Sequence, residues 1–227
     1  MQALWQDIER VLLPFLNGLP QAVLTTVSIS LAACLLGMAL AVVLLLARTS
    51  GFWPLKALVV VFVSAMRGIP LLIQLLVVYY ALPAILNLSI SAVNAGVLAL
   101  AMNTSAYISE ILRGVLSSLP AGQRAAAFSL GMGTWSTWRY ILLPQIFFKA
   151  LPPLTNEWTV MVKASSLLSV ISVVEISALA RNVNLQTNAP LSVFGASALI
   201  YFVLLFLLSS ASRKVEQRIA VRVGRHA

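Results

Sequence analysis

The chain has 227 residues, of which 60% are hydrophobic and 9% charged. A soluble domain carries about 25% charged residues, so a water-soluble globule is excluded: too few polar side chains exist to cover its surface. The net charge of +9 invites a nucleic-acid reading, but the basic residues sit at the ends of apolar runs, where they set membrane topology, and no nucleic-acid partner is expected. Three runs, Val11 to Ala47, Gly68 to Ser109 and Asn182 to Ser212, carry no charged residue. Each exceeds the roughly 20 apolar residues that span a bilayer, so a lipid bilayer is the expected surroundings.

The first predicted element is a short amphipathic stretch over residues 1–18. Leu4, Trp5, Ile8, Val11 and Leu12 share one helical face, with Asp7, Glu9 and Arg10 off it, the pattern of a helix lying on a membrane surface. No basic segment precedes it, so a cleaved signal peptide is not expected. Asn17-Gly18-Leu19-Pro20 is read as its end. The membrane domain follows over 19–212. Span one is placed at Gln21 to Ala47, closed by Arg48-Thr49-Ser50-Gly51. The lone cysteine, Cys34, falls inside it and reads as a small packing residue, since no partner for a disulfide exists within the chain.

Span two begins near Pro54 and carries Arg67-Gly68-Ile69-Pro70. Pro70 removes a backbone donor and predicts a kink, after which the helix resumes from Leu71 to Leu82. Pro83 to Asn94 reads as a loop, and span three runs from Ala95 to Gly114. Between about 115 and 153 the pattern changes: Arg124, Arg139 and Lys149 return charge, with Pro120, Gly122, Gly131, Gly133 and Pro144 among them. This predicts a long loop holding two short helices, one capped by Ser118 near Pro120 and ended by Gly131, the other capped by Thr134 and closed by Pro144. Span four is placed at Trp158 to Leu179, and Arg181 to Pro190 is a polar loop. Span five runs from Leu191 to Ser212, followed by a basic tail over 213–227 with Arg213, Lys214, Arg218, Arg222 and Arg225. The expected fold is therefore all-α, with about five transmembrane helices and a cytoplasmic loop between spans three and four. Most basic residues fall on one side of such a topology, which places the N-terminus outside and the tail in the cytoplasm.

Charges at bilayer depth cost about 2.5–3.5 kcal/mol on insertion scales, so each needs a partner, a cavity or an interface. Glu110 and Arg113 lie three residues apart on one helical face and can pair. Arg67 can serve carbonyls freed by Pro70. Lys163, with Ser165 and Ser166, offers donors for a carboxylate. Asn156 and Glu157, one to two turns away, offer acceptors for an ammonium group, and Asn103 can serve either. The alternative for Lys163 is a buried ion pair with Glu157 or Glu110. No metal site or catalytic nucleophile is expected: the sole histidine, His226, sits in the tail.

The loop carries a motif. Ala125-Ala126-Ala127, then Gly131, Ile141, Leu143 and Pro144 stand at the spacing of the signature of importer permeases of the ATP-binding-cassette class, which reads Glu-Ala-Ala, three residues, Gly, nine residues, Ile, one residue, Leu-Pro. The flanks resemble the polar amino-acid subfamily: Asn103, the run Ala106 to Gly114, Pro120, Gly122-Gln123, Leu130-Gly131, Leu142 to Gln145, Leu151-Pro152, Asn156, and Lys163 to Leu167, with Arg67-Gly68-Ile69-Pro70-Leu71 and Gln74 upstream. The resemblance spans about 19–212. Two positions depart from it: Ala125 replaces the signature Glu, and Ala164-Ser165 stand where Asp and Thr are common.

The resemblance implies a permease of the bacterial inner membrane that forms the path for a polar amino acid. It implies three partners: a dimer of ATP-binding subunits, a second permease chain, identical or homologous, and an extracytoplasmic substrate-binding protein. The coupling loop would include Gly122, Gln123, Ala125, Ala126, Ala127, Gly131, Ile141, Leu143 and Pro144; Trp135, Trp138 and Tyr140 suit either a partner surface or the headgroup layer. The chain has no phosphate-binding glycine loop ending in Lys-Ser or Lys-Thr, so ATP and magnesium belong to the partner ATPase and this chain is not itself an enzyme. The rival reading is an ion-gradient-driven carrier of small polar solutes. Such carriers usually show paired repeats with a broken helix in each half, and only one break, at Arg67 to Pro70, is visible here.

Overall fold

The structure is a computed structural model that describes residues 2–224, with side chains over 9–217. The apolar face expected from Leu4, Trp5 and Ile8, and the side chains of Arg218, Arg222, Arg225 and His226, lie outside the described residues. Helix is the only regular structure within them.

α1 spans Gln2–Thr49 without interruption, through Pro14 and Pro20. The break expected at Asn17 to Pro20 is absent. Buried residues explain why: Val11, Phe15 and Ala22 pack with Ile176, Leu179 and Val193, so tertiary contact holds both sides of each proline. Gly18 contributes, since a Cβ there would come 2.6 Å from Leu179.

α2 (Trp53–Gly68) ends at Ile69-Pro70, where the chain leaves helical geometry. It resumes as α3 (Leu71–Leu76), a π-helical turn (Val77–Ala81) and α4 (Leu82–Leu86). The two halves are bent by 109°, far more than a proline kink. Pro83 lies in the first turn of α4, where a missing N–H costs little, so the loop is shorter than expected.

α5 (Ala92–Ser117) opens on the Ser91 side chain, which accepts from the Asn94 N–H at 3.2 Å. It is the most enclosed of the long helices and α10 the least. Small residues dominate its buried positions, among them Ala95, Gly96, Ala99, Ser105 and Ala106; such residues let membrane helices approach closely. The closest approach is at Gly37 of α1, where a Cβ would fall 2.2 Å from Thr104 Cγ2 and 3.0 Å from the Ala101 carbonyl.

α6 (Gly122–Ser129) and α7 (Thr134–Ser136) fill the loop. Neither expected side-chain cap forms: Ser118 instead closes α5, and the position before Thr134 is Gly133. α7 runs through a π-helical turn (Thr137–Leu142) into α8 (Leu143–Ala164). Pro144 therefore does not close the second helix; it occupies the first turn of α8. Span four consequently begins earlier than Trp158. After α8 come a 3₁₀ segment (Ser165–Ile171) and α9 (Ile176–Thr187), the whole bent by 46° from Thr134–Ile171 to α9. α10 (Pro190–Gly224) is the last helix. Three unbroken helices are long and apolar enough to cross a bilayer, and counting each bent pair as one span gives five.

Candidate functional site

Two regions collect the residues singled out in the sequence. One is the interior of the helix bundle around α5, and the other is the α6–α7 projection.

At the break in span two, Met66 and Ile69 have carbonyls that no helical N–H reaches. Gln74 supplies the donor: its Nε2 lies 2.7 Å from Met66 O and 2.8 Å from Ile69 O. Asn103 of α5 donates from Nδ2 to Met66 O (3.1 Å) and to Gln74 Oε1 (3.2 Å). Arg67, expected to serve these carbonyls, instead lies over the Tyr107 ring, 5.5 Å from its centroid. Asn103 is thus buried and committed to the break.

Glu157 projects from α8 toward the neighbouring side of α5. It is buried, and the Thr104 hydroxyl donates to its Oε1 at 3.1 Å. Among the described residues no cation pairs with it. Glu110 behaves as expected toward Arg113, which donates from Nε and Nη2 at 3.0 and 2.8 Å. Its second oxygen accepts from Arg48 at the end of α1, a partner the sequence reading missed because it lies 62 residues away.

Lys163 is exposed and makes no ion pair with Glu157 or Glu110 among the described residues, so the buried-pair expectation is corrected. Ser165 is buried, but its hydroxyl donates to Val162 O; the Ser166 hydroxyl donates to Lys163 O, both at 2.8 Å. These hydroxyls turn back onto their own helix. Asn156 is exposed and faces α10, away from Glu157. The expected donors and acceptors are therefore spread along α8, over about 9 Å between Glu157 and Lys163 at 1.5 Å per residue, rather than gathered at one point.

The break after α8 has its own brace. Glu175 is fully buried and caps α9, accepting from the N–H groups of Ser177 (2.9 Å) and Ala178 (2.7 Å). Tyr201 of α10 donates to the same carboxylate at 2.7 Å. Thr26 of α1 accepts from the Ile176 N–H at 3.4 Å.

In the projection, α6 ends as expected at Gly131, whose φ is +73°. The Met132 N–H donates to Ala127 O and the Gly131 N–H to Phe128 O, both at 3.0 Å, the paired bonds of a Schellman turn. Ala127 is buried and anchors the helix, while Gly122, Gln123, Ala125 and Ala126 are exposed. Gln145 donates to Ile141 O at 2.8 Å and reaches Gln123 Oε1 at 3.4 Å, tying α6 to α8. Leu143 is half-buried and Pro144 exposed. Large apolar side chains stand out at the tip: Leu130 is 81% exposed and Trp135 70%. Trp138, by contrast, packs inside with Ala41, Leu112 and Leu142, and belongs to neither surface considered for it.

The bundle has two braced helix breaks, where the sequence suggested one, and a helical projection between its third and fourth spans; the breaks alone do not separate a permease from an ion-driven carrier, and the relatives do. Residues 33–221 match the family described as binding-protein-dependent transport system inner membrane component, and the chain belongs to that family. It is 34% identical over 216 residues to the L-cystine transport system permease protein TcyB of Bacillus subtilis, covering 95% of this chain and 91% of that one. It is 35% identical over 176 residues to the glutamine transport system permease protein GlnP of Escherichia coli, covering 77% and 80%. Among solved structures, an amino acid ABC transporter crystallised with histidines matches at a TM-score of 0.81 and 33% identity, over 90% of this chain and 94% of that one. The MetNI methionine transporter shares the fold at a TM-score of 0.75 and 18% identity.

Proposed function

We propose that this chain lines the path for a polar amino acid in the bacterial inner membrane, with import driven by ATP that a separate ATPase dimer hydrolyses using magnesium. The single observation that carries the coupling part is the α6 tip: a short helix ended by a left-handed glycine, presenting Leu130, Phe128 and Trp135 to the outside. Apolar side chains on a rigid turn are poor company for water and suit a cleft on a partner. Ala125 presents only a methyl group where the family signature has a carboxylate, so docking here rests on apolar contact and backbone shape.

Relatives named for cystine, glutamine and arginine transport support a substrate with an α-amino and an α-carboxylate group. Glu157 and Asn103 lie on the enclosed part of the path, and Lys163, Ser166 and Asn156 on its rims; Ser165 and Glu110 position their own helices. The N-terminus is outside and the tail cytoplasmic. A second permease chain, identical or homologous, completes the path, and an extracytoplasmic binding protein delivers the substrate. Gly131→Leu is the test. The variant should reach the membrane at the parent level, lose co-purification of the ATPase and lose import. Parent-level import by an inserted Gly131→Leu chain would refute the docking role.

A further inference from the structure

A second polar feature lies outside the enclosed path. Where α8 and α10 diverge, a cavity of about 160 Å³ is lined by Thr155, Asn156 and Thr159 on one helix and by Ser209, Arg213 and Glu216 on the other. Every named lining side chain is polar, in a chain that is 60% hydrophobic. Counting from Pro190 at about 1.5 Å per residue, Arg213 lies roughly 35 Å along α10, beyond the roughly 30 Å hydrocarbon thickness. The cavity thus opens at headgroup level, accessible to solutes and to lipid.

Its charges are arranged unusually. Arg213 and Glu216 are three residues apart on one helix face, a spacing of about 5–6 Å at which opposite charges normally pair. Among the described residues they do not pair with each other. Glu216 Oε1 accepts from the Thr155 hydroxyl at 2.7 Å across the cavity, and Arg213 Nη2 donates to Ser210 at 3.1 Å. Arg213 has five N–H donors, and Ser210 engages one. An acid and a base held apart around a small polar cavity leave room for a ligand carrying both complementary charges. The Asn156 amide, on the facing wall, supplies a donor and an acceptor between them.

We propose that this crevice is a zwitterion subsite, Glu216 receiving a primary ammonium group and Arg213 an oxyanion a few bonds away. An α-amino acid has this chemistry, and so does the phosphoethanolamine headgroup of a lipid. If the occupant is an amino acid, the inference rests on the permease reading and adds a second holding point at the C-terminal end of α10, separate from Glu157.

The test uses the full complex of permease and ATPase in nanodiscs of phosphatidylcholine, whose headgroup has no N–H donor. Ser212 also lines the α10 wall of the cavity, and Ser212→Cys in a Cys34→Ala background reports occupancy through its rate of reaction with a water-soluble maleimide. Glycine, L-glutamine and L-arginine are the soluble probes, and added phosphatidylethanolamine is the lipid probe. Protection by any soluble probe in pure phosphatidylcholine, with a half-protecting concentration at least tenfold higher in Arg213→Gln and in Glu216→Gln, supports the amino-acid source. Protection that appears only with phosphatidylethanolamine, and weakens equally in both variants, supports the headgroup. No protection by any probe, or protection that neither substitution alters, overturns the subsite. ATP-driven import by the same complex, reconstituted with its binding protein in phosphatidylcholine liposomes, separates the two ideas: import without protection sinks the subsite alone, and protection without import sinks the permease reading alone.

Discussion

Gly37 and Thr104 set how closely α1 and α5 approach. A methyl at Gly37 would meet both the Thr104 methyl and a backbone carbonyl, and the carbonyl cannot move without its helix. Gly37→Ala should destabilise the protein by about 1–3 kcal/mol, the usual range for overpacking, read as a lower Tm of the detergent-purified chain. Adding Thr104→Ser removes one clashing methyl while keeping the hydroxyl that donates to Glu157, so the double variant should recover part of the loss. Gly51 has open space around it, and Gly51→Ala should leave Tm unchanged. A double variant no more stable than Gly37→Ala alone would show that Thr104 is not the obstacle. The same residue scale explains why Glu157 was legible as a polar group at depth and its partner was not. A glutamate in an apolar run stands out by charge, whereas a threonine 53 residues earlier gives no signal until the helices are packed.

At the scale of elements, the breaks matter more than the spans. Apolar length alone located the long helices, and the helix end at Gly131 was readable because glycine adopts a positive φ at the least cost. Prolines were misleading. Pro20, read as part of a break, sits inside a continuous helix, and Pro144, read as a helix end, starts one, because tertiary packing and first-turn placement override the local rule. The 109° bend at Ile69-Pro70 needed more than proline: it is stable because Gln74 and Asn103 satisfy carbonyls that would otherwise be stranded away from water. Gln74→Leu should leave the Ile69 carbonyl without its donor, at a cost of about 1–3 kcal/mol. Proteolysis or hydrogen exchange should then rise around residues 66–76 before the rest of the chain loosens. Uniform exchange across the chain would mean that Gln74 does not hold the bend. Glu175 plays the equivalent part for α9; Glu175→Ala removes a cap worth about 0.5–2 kcal/mol and strips the Tyr201 hydroxyl of its acceptor, so Tm should fall by more than for a surface glutamate such as Glu9.

For the whole molecule, the orientation we propose rests on where the basic residues gather. Arg48 and Arg113 lie at or near the C-terminal ends of α1 and α5, Arg124, Arg139 and Lys149 in or beside the projection, and Arg213 and Lys214 in the C-terminal part of α10. In a Cys34→Ala background, cysteines at Gln2 and Gly224 should react with an impermeant reagent from opposite sides of the membrane, Gln2 from outside. Labelling of both from one side would require an even number of spans. The central claim is that this chain moves its substrate only when coupled to an ATPase. The direct measurement is uptake of labelled L-cystine, L-glutamine and L-arginine into proteoliposomes containing the chain with and without its ATPase subunits, with the binding protein present throughout. Uptake of at least one of them should require both the ATPase and ATP, and should persist when ionophores collapse all ion gradients. Uptake by the chain without the ATPase, driven by an ion gradient and abolished by the ionophore, would contradict the account and restore the secondary-transporter reading.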